Sequence, residues 1–156
     1  MGQVRVASAF AGRGLVYRMD DVKYVADPYE AFIAEPAGML GQQMAAWLDR
    51  AGPFSAVAQP GSARTVKSAP FTLEAMVTEL YGDFRVGSRP AAVVSIQFAL
   101  MDLEDARQTV VYERTISRRV EIAQPSQDAL VRGYDAALTE ILVELSSGLA
   151  TARRAE

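Results

Sequence analysis

The sequence predicts an α+β fold: two layers, in which a mostly antiparallel mixed sheet with a three-strand meander carries two long amphipathic helices packed on one face. Three observations support this. Residues 71–122 contain three long runs of alternating apolar and polar residues, separated only by loops of hairpin length. Two other segments, opening at Pro36 and at Ser126, repeat apolar residues at helical spacing. The chain has 156 residues, the length of one domain with one core. Residues 3–150 are expected to form that domain and 151–156 a frayed tail.

Val4, Val6 and Ser8 alternate with Arg5, Ala7 and Ala9, the period of a strand, until the glycines of GRG at 12–14 break it. Residues 15–18 and 22–26 then read as short strands around a turn at Met19, Asp20 and Asp21, and DPYEAF, 27–32, as a loop. Pro36 suits a first helical position, because its missing N–H is not needed there and its φ is already close to helical. Leu40, Met44, Trp47, Leu48 and Ala51 continue one helical face up to Gly52 and Pro53, which stop it. Residues 54–58 are expected as a strand, and QPGSARTVKSAP, 59–70, as a flexible loop inside the domain.

The three meander strands are read at 71–84, 91–103 and 108–122. In the first, Leu73, Ala75 and Val77 alternate before the phase slips to Leu80, as a β-bulge would produce. Val94, Ile96, Phe98 and Leu100 share one face of the second. Val110, Tyr112, Ile116, Val120 and Ile122 do so in the third, interrupted by Arg114 and Arg118. The other face of the middle strand, with Val93, Ser95, Gln97, Ala99 and Met101, is half apolar and predicts a cover such as a second subunit. Ser126 is placed to cap the last helix and Asp128 to favour its first turn. Leu130, Tyr134, Ala137, Leu138, Ile141, Leu145 and Leu149 make its apolar stripe.

The chain is 50% apolar and 22% charged, an ordinary globular balance. Its net charge of −3 supplies no general attraction to nucleic acid or anionic lipid, and no basic stripe or recognition helix is present, so no nucleic-acid partner is expected. Of the 16 basic residues 14 are arginine, which favours planar, hydrogen-bonded ion pairs over diffuse positive charge. No stretch approaches the ~18 apolar residues of a membrane span. Met1 and Gly2 run straight into the alternating QVRVASAF, so no signal peptide is read at the start.

The sequence has no cysteine and no histidine, which removes disulfides, thiolate and Ser-His-Asp catalysis, and Cys- or His-based metal sites. A Ser-Lys pair would need Lys23 or Lys67, and neither lies in S-x-x-K; Lys67 and Ser68 fall in the loop. The carboxylates cluster at Asp20 and Asp21, and at Asp102, Glu104 and Asp105. Both groups coincide with predicted turns, and neither has the D-x-[DN]-x-[DN]-G spacing of a calcium loop. GRG is not followed by a helix and reads as a turn, not a phosphate cradle. Arg118 and Arg119 point to opposite sheet faces, which defeats a shared phosphate clamp. No catalytic residue, metal site or cofactor is predicted. What remains are the aromatics Tyr17, Tyr24, Tyr29 and Phe32, which either pack beneath the first helix or form a contact surface.

The order GRGLVYR, then VKYV, then the aromatic-acidic YEAF followed by Pro and a Met-Leu helix start, then GPFSAV, then long strands and a closing Leu-rich helix, resembles the ABC-type transport auxiliary lipoprotein family over residues 3–150. The resemblance implies a non-enzymatic envelope component that accompanies transport systems built around MCE-domain proteins. It implies a periplasmic domain tethered, as expected for the outer membrane, through an N-terminal lipidated cysteine that this chain lacks. Such a domain would support lipid or hydrophobic-solute traffic by docking onto its MCE partner, with self-association as a further expectation. The alternative is a carrier that holds a lipid or small hydrophobic ligand between helices and sheet. Arg13, Tyr17, Tyr29 and Phe32 fall in the matching motifs and are the partner-binding candidates.

Overall fold

The computed structural model describes residues 1–59 and 69–154. Most of the predicted 59–70 loop, including Lys67 and Ser68, and the last two residues lie outside the described residues. In chain order the elements are β1 (Val4–Val6), a 3₁₀ turn (Ser8–Phe10), β2 (Gly14–Arg18), β3 (Tyr24–Ala31), α1 (Pro36–Ala51), β4 (Phe71–Asp83), β5 (Ala91–Asp102), β6 (Val110–Glu121) and α2 (Gln127–Arg154). They form a six-stranded mixed sheet of order β3-β2-β4-β5-β6, with β1 paired to β4 off that path. This is the predicted α+β arrangement.

β1 and β2 share one edge of β4, both parallel to it: Val4 pairs with Ala75 near its start and Tyr17 with Gly82 at its end. The alternation that predicted one strand over residues 4–9 ends at Val6, because the 3₁₀ turn carries the chain off the sheet before β2 rejoins it. Residues 54–58, expected as a strand, form none. At that end of β4 one edge is occupied by β1 and the other by β5, so no free ladder is left for an extended segment to join. The segment is held instead by the Asp49 carboxylate, which accepts from Val57 N at 2.8 Å, and by the terminal ammonium of Met1, which donates to Ala58 O at 2.8 Å.

The meander forms as read. The register shifts between Val77 and Glu79 of β4, so Leu80 returns to the face of Leu73, Ala75 and Val77. A second shift, between Leu100 and Met101, was not anticipated: Val110 pairs with Met101, which places it on the opposite sheet face, 49% exposed. Val111 packs against the core in its place. Both helices cover one face, α1 over β1 and α2 over β5 and β6. Phe98, Ile96, Ile141, Leu145 and Leu149 are wholly buried between the layers. Removing each from water contributes roughly 1.5–3 kcal/mol.

Ser126 caps α2 as its position predicts, Oγ accepting from Ala129 N at 3.3 Å. α2 then continues to Arg154. The opposite sheet face is only partly open. Val16, Tyr81 and Val93 form a small second cluster closed by Phe10 from the 3₁₀ turn, and Ser95 is buried against Ser117 with Oγ atoms 2.7 Å apart. The chain itself therefore supplies the cover expected from outside over Val93 and Ser95, while Gln97 is exposed and Ala99 and Met101 are half-buried.

Candidate functional site

The β2–β3 hairpin holds all four residues singled out from the sequence, and its shape depends on two aspartates. Asp20 Oδ1 accepts from the backbone N–H of Val22 and Lys23 at 2.9 and 2.7 Å, closing the turn. Asp27 Oδ1 accepts from Tyr29 N and Glu30 N at 2.8 and 3.0 Å. Those backbone bonds hold the Asp27 carboxyl below its ordinary range. They also make a wide bulge: Val16 pairs with Ala26 and Gly14 with Ala31, so residues 27–30 stand opposite Leu15 alone. DPYEAF is therefore largely strand, not the predicted loop. A Cβ at Gly14 would lie 2.9 Å from Asp27 O, so only glycine admits this approach.

The four candidates share the hairpin but face different ways. Phe32 turns inward, its ring 6.2 Å from that of Tyr134 on α2. Arg13 secures the same point, its Nε donating to Phe32 O at 3.0 Å beside the backbone bond from Phe32 N to Arg13 O at 2.7 Å. Tyr17 stacks on Phe84 at 5.0 Å, and its hydroxyl lies 3.1 Å from Asp27 Oδ2 and 3.0 Å from Glu30 Oε2. Burial first, and then those two carboxylates, raise the phenol's pKa. Tyr29 is the candidate aromatic that points outward, 93% exposed, on an edge strand flanked by Val22 at 89% and Ile33 at 91%. Of these aromatics Tyr17 and Phe32 pack against the core, Phe32 with its ring toward α2. Tyr24 lies on the other sheet face, in edge contact with Phe10 and Tyr81 at 6.1 and 5.2 Å.

Above the same hairpin lies an ion cluster that sequence reasoning missed. Asp83, the last residue of β4, is 1% exposed. Arg85 grips its carboxylate with Nε and Nη2, both at 2.9 Å, and Arg119 of β6 adds Nη2 at 3.3 Å. A further Arg85 nitrogen donates to Asp21 in the β2–β3 turn at 3.0 Å. The hydrogen bonds from Arg85 hold the Asp83 carboxyl down to about 2. The cluster thus ties the β2–β3 and β4–β5 turns together, and Asp83 stays ionised at neutral pH, unable to exchange a proton there. The arginine-rich composition was its only sequence signal; two of its partners lie 36 and 64 residues away.

A third feature is an apolar cleft of ≈ 330 Å³ between α1 and α2. Phe32, Leu40, Leu80 and Leu138 are among its walls, and Gln43, Arg132 and Asp135 bring the polar groups. Tyr134 also lines it, and the Tyr134 hydroxyl is buried with no hydrogen-bond partner among the described residues. Burial raises the pKa of that phenol.

Several other charged groups have structural uses. Asp102 Oδ1 accepts from Glu104 N at 2.8 Å and Asp105 Oδ1 from Arg107 N at 3.0 Å, the turn roles expected of them. Arg118 reaches Glu140 on α2 at 3.1 Å, while Arg119 serves Asp83 on the other face, as the strand period requires. Among the described residues no group of three acidic side chains is placed to hold a metal ion.

Fold and site together define an open-sheet α+β domain that presents an aromatic hairpin at one edge and an apolar cleft beneath it. The chain belongs to the ABC-type transport auxiliary lipoprotein component family, whose model matches residues 1–146. It is therefore an auxiliary component of an ABC-type transport system. Among solved structures it resembles protein XCC0632 from Xanthomonas campestris, with 18% identity over 98% of this chain and 83% of that one and a TM-score of 0.83. It also resembles protein CT253 from Chlamydia trachomatis, with 12% identity over 96% of this chain and 98% of that one and a TM-score of 0.61. At such identities the likeness concerns the fold alone. No curated protein matches the chain. Among the described residues no helix is long and apolar enough to cross a membrane.

Proposed function

We propose that residues 3–150 act as one non-enzymatic, periplasmic accessory domain of an ABC/MCE-type system for lipids or hydrophobic solutes, tethered to the outer membrane by an N-terminal lipid and docked onto the MCE-domain partner. Family membership supports the transport role. The observation that carries the docking surface is the β2–β3 hairpin: Tyr29, Val22 and Ile33 stand 89–93% exposed on an edge held rigid by Asp27 and the Asp83 cluster. Tyr17 and Phe32 act there as inward anchors, and the exposed Arg13 ties Phe32 in place, so that together they set the pose of Tyr29. Self-association would use the open part of the second sheet face, around Gln97, Met101 and Val110. Co-purification with the MCE-domain protein of the same system tests the proposal. Retention of the partner is expected, and its absence in both detergent and lipid nanodiscs would overturn the docking role. The ≈ 330 Å³ cleft favours a second reading, in which the domain also carries a hydrophobic ligand between helices and sheet.

A further inference from the structure

We infer that the α1–α2 cleft takes the single acyl chain of an amphiphile whose head group carries one negative charge and rests against Arg132. This inference names the ligand class for the carrier reading and rests on it; the docking role does not depend on it.

Size selects the chain. An α-helix ~10 Å across would fill ≈ 330 Å³ in about 4 Å of its length, less than one turn, so the cleft suits a thinner occupant. An alkyl chain fits it: with a methylene about as large as a water molecule, ~30 Å³ in the liquid, the same space holds roughly ten carbons. The lining agrees, because Met39 and Leu40 of α1, Leu80 of β4 and Val131 and Leu138 of α2 are all aliphatic or thioether side chains.

Charge selects the head group. Arg114 and Arg118 of β6 are paired with Glu144 and Glu140 of α2. Arg132, at the cleft, is exposed and has no ion-pair partner among the described residues, so its guanidinium is available to a carboxylate or phosphate oxygen. Asp135 also lines the cleft, three residues on along α2. Its negative charge disfavours a doubly charged head and leaves room for a single one. A free fatty acid and a monoacyl phospholipid share this chemistry.

The test is a fluorescence titration of the chain with dansylundecanoate, followed by competition with dodecanoate, lysophosphatidylglycerol and dodecyl maltoside. Saturation at one equivalent is expected, with all three competing. Met39→Trp, which fills the cleft from a half-buried position, should weaken every ligand by about tenfold. Arg132→Gln should weaken the two anionic ligands by about threefold and leave dodecyl maltoside unchanged. Should Met39→Trp fail to fold by circular dichroism, Leu40→Trp takes its place. Non-saturating fluorescence, or affinity indifferent to the filling variant, overturns the inference and the carrier reading together. Loss on filling with no difference between anionic and neutral ligands in Arg132→Gln overturns the head-group assignment and leaves the carrier reading standing. Preference for one anionic competitor over the other identifies the source of the chain.

Discussion

Along β4, β5 and β6 side chains alternate between a core sealed by α2 and an outer face, whereas across β2 and β3 four residues of one strand stand opposite a single residue of the other and most of β3 is exposed. One sheet thus contains two kinds of order. In the meander, order comes from many interchangeable apolar contacts, each modest and all pointing inward. In the hairpin it comes from a few specific polar bonds: Asp20 at the turn, Asp27 at the bulge, and the Asp83 cluster above both. The first kind makes a fold stable. The second places a small number of side chains, Tyr29 above all, in an orientation that burial would never select.

The sharpest way to break this comparison is to cut equally large aromatic groups from each region. Phe98, at the centre of β5, is 0% exposed and packed between sheet and helices. Phe98→Ala should cost about 3–5 kcal/mol in urea denaturation, through lost burial and the cavity left behind. A cost below that of an exposed-site variant would mean that the meander core is not the stabilising centre described here.

Next in size is the Asp83 cluster, where hairpin and meander meet. The hydrogen bonds from Arg85 hold its folded carboxyl down to about 2, below the ordinary ~3.9 of an aspartate. A depressed carboxyl contributes stability that is fully present above the ordinary value and is lost as pH falls through the folded one. About 2 kcal/mol should therefore disappear between roughly pH 5 and pH 2. Asp83→Asn removes the charge, leaving Arg85 and Arg119 to turn toward water. It should cost a similar amount at pH 7 and abolish that part of the acid dependence. Parallel pH–stability curves for wild type and variant would show that another carboxylate dominates.

What could be read from the sequence follows the same division. The meander, its bulge before Leu80, the cap at Ser126 and the stripe of α2 were all legible, because they rest on periodicities of 2 and 3.6 that a large core imposes over many residues. Val110 escaped that logic through one extra residue at the end of β6, which moved it to the other face. Residues 54–58 had strand composition but no edge to pair with, a fact about neighbours that local pattern does not carry. DPYEAF looked like a loop because Asp and Pro usually break strands; on an edge with a wide bulge they are tolerated. The candidate residues, chosen by resemblance, all fall on or beside one hairpin, but their different directions depend on that bulge. Asp83 was unremarkable in sequence because Arg119, which donates to it, and Asp21, which shares Arg85 with it, lie in other strands and turns.

A smaller effect should separate the two regions spatially. Asp27→Ala removes the acceptor for Tyr29 N and Glu30 N and one of the two acceptors at Tyr17. The loss should be about 1 kcal/mol and confined to the hairpin. Amide exchange should quicken at Tyr29 and Glu30 while β4, β5 and β6 keep their protection. Exchange that quickens across the meander as well would mean that the two regions open as a single unit.

The smallest change in stability belongs to the residue with the largest proposed effect on docking. Tyr29 is 93% exposed and in no ring contact among the described residues, so Tyr29→Ser should alter unfolding free energy by no more than about 0.5 kcal/mol. An exposed tyrosine on a rigid edge supplies wide contact area at little cost in side-chain entropy, the property that enriches it at protein interfaces. The same substitution should therefore lower retention of the MCE-domain partner by about tenfold, a change expected when a central aromatic contact is lost. Phe98→Ala, measured at a temperature where it stays folded, should leave retention close to wild type. If Tyr29→Ser binds as well as wild type while the partner is retained, the contact surface lies elsewhere on the sheet, and the order stored in the hairpin serves the fold alone.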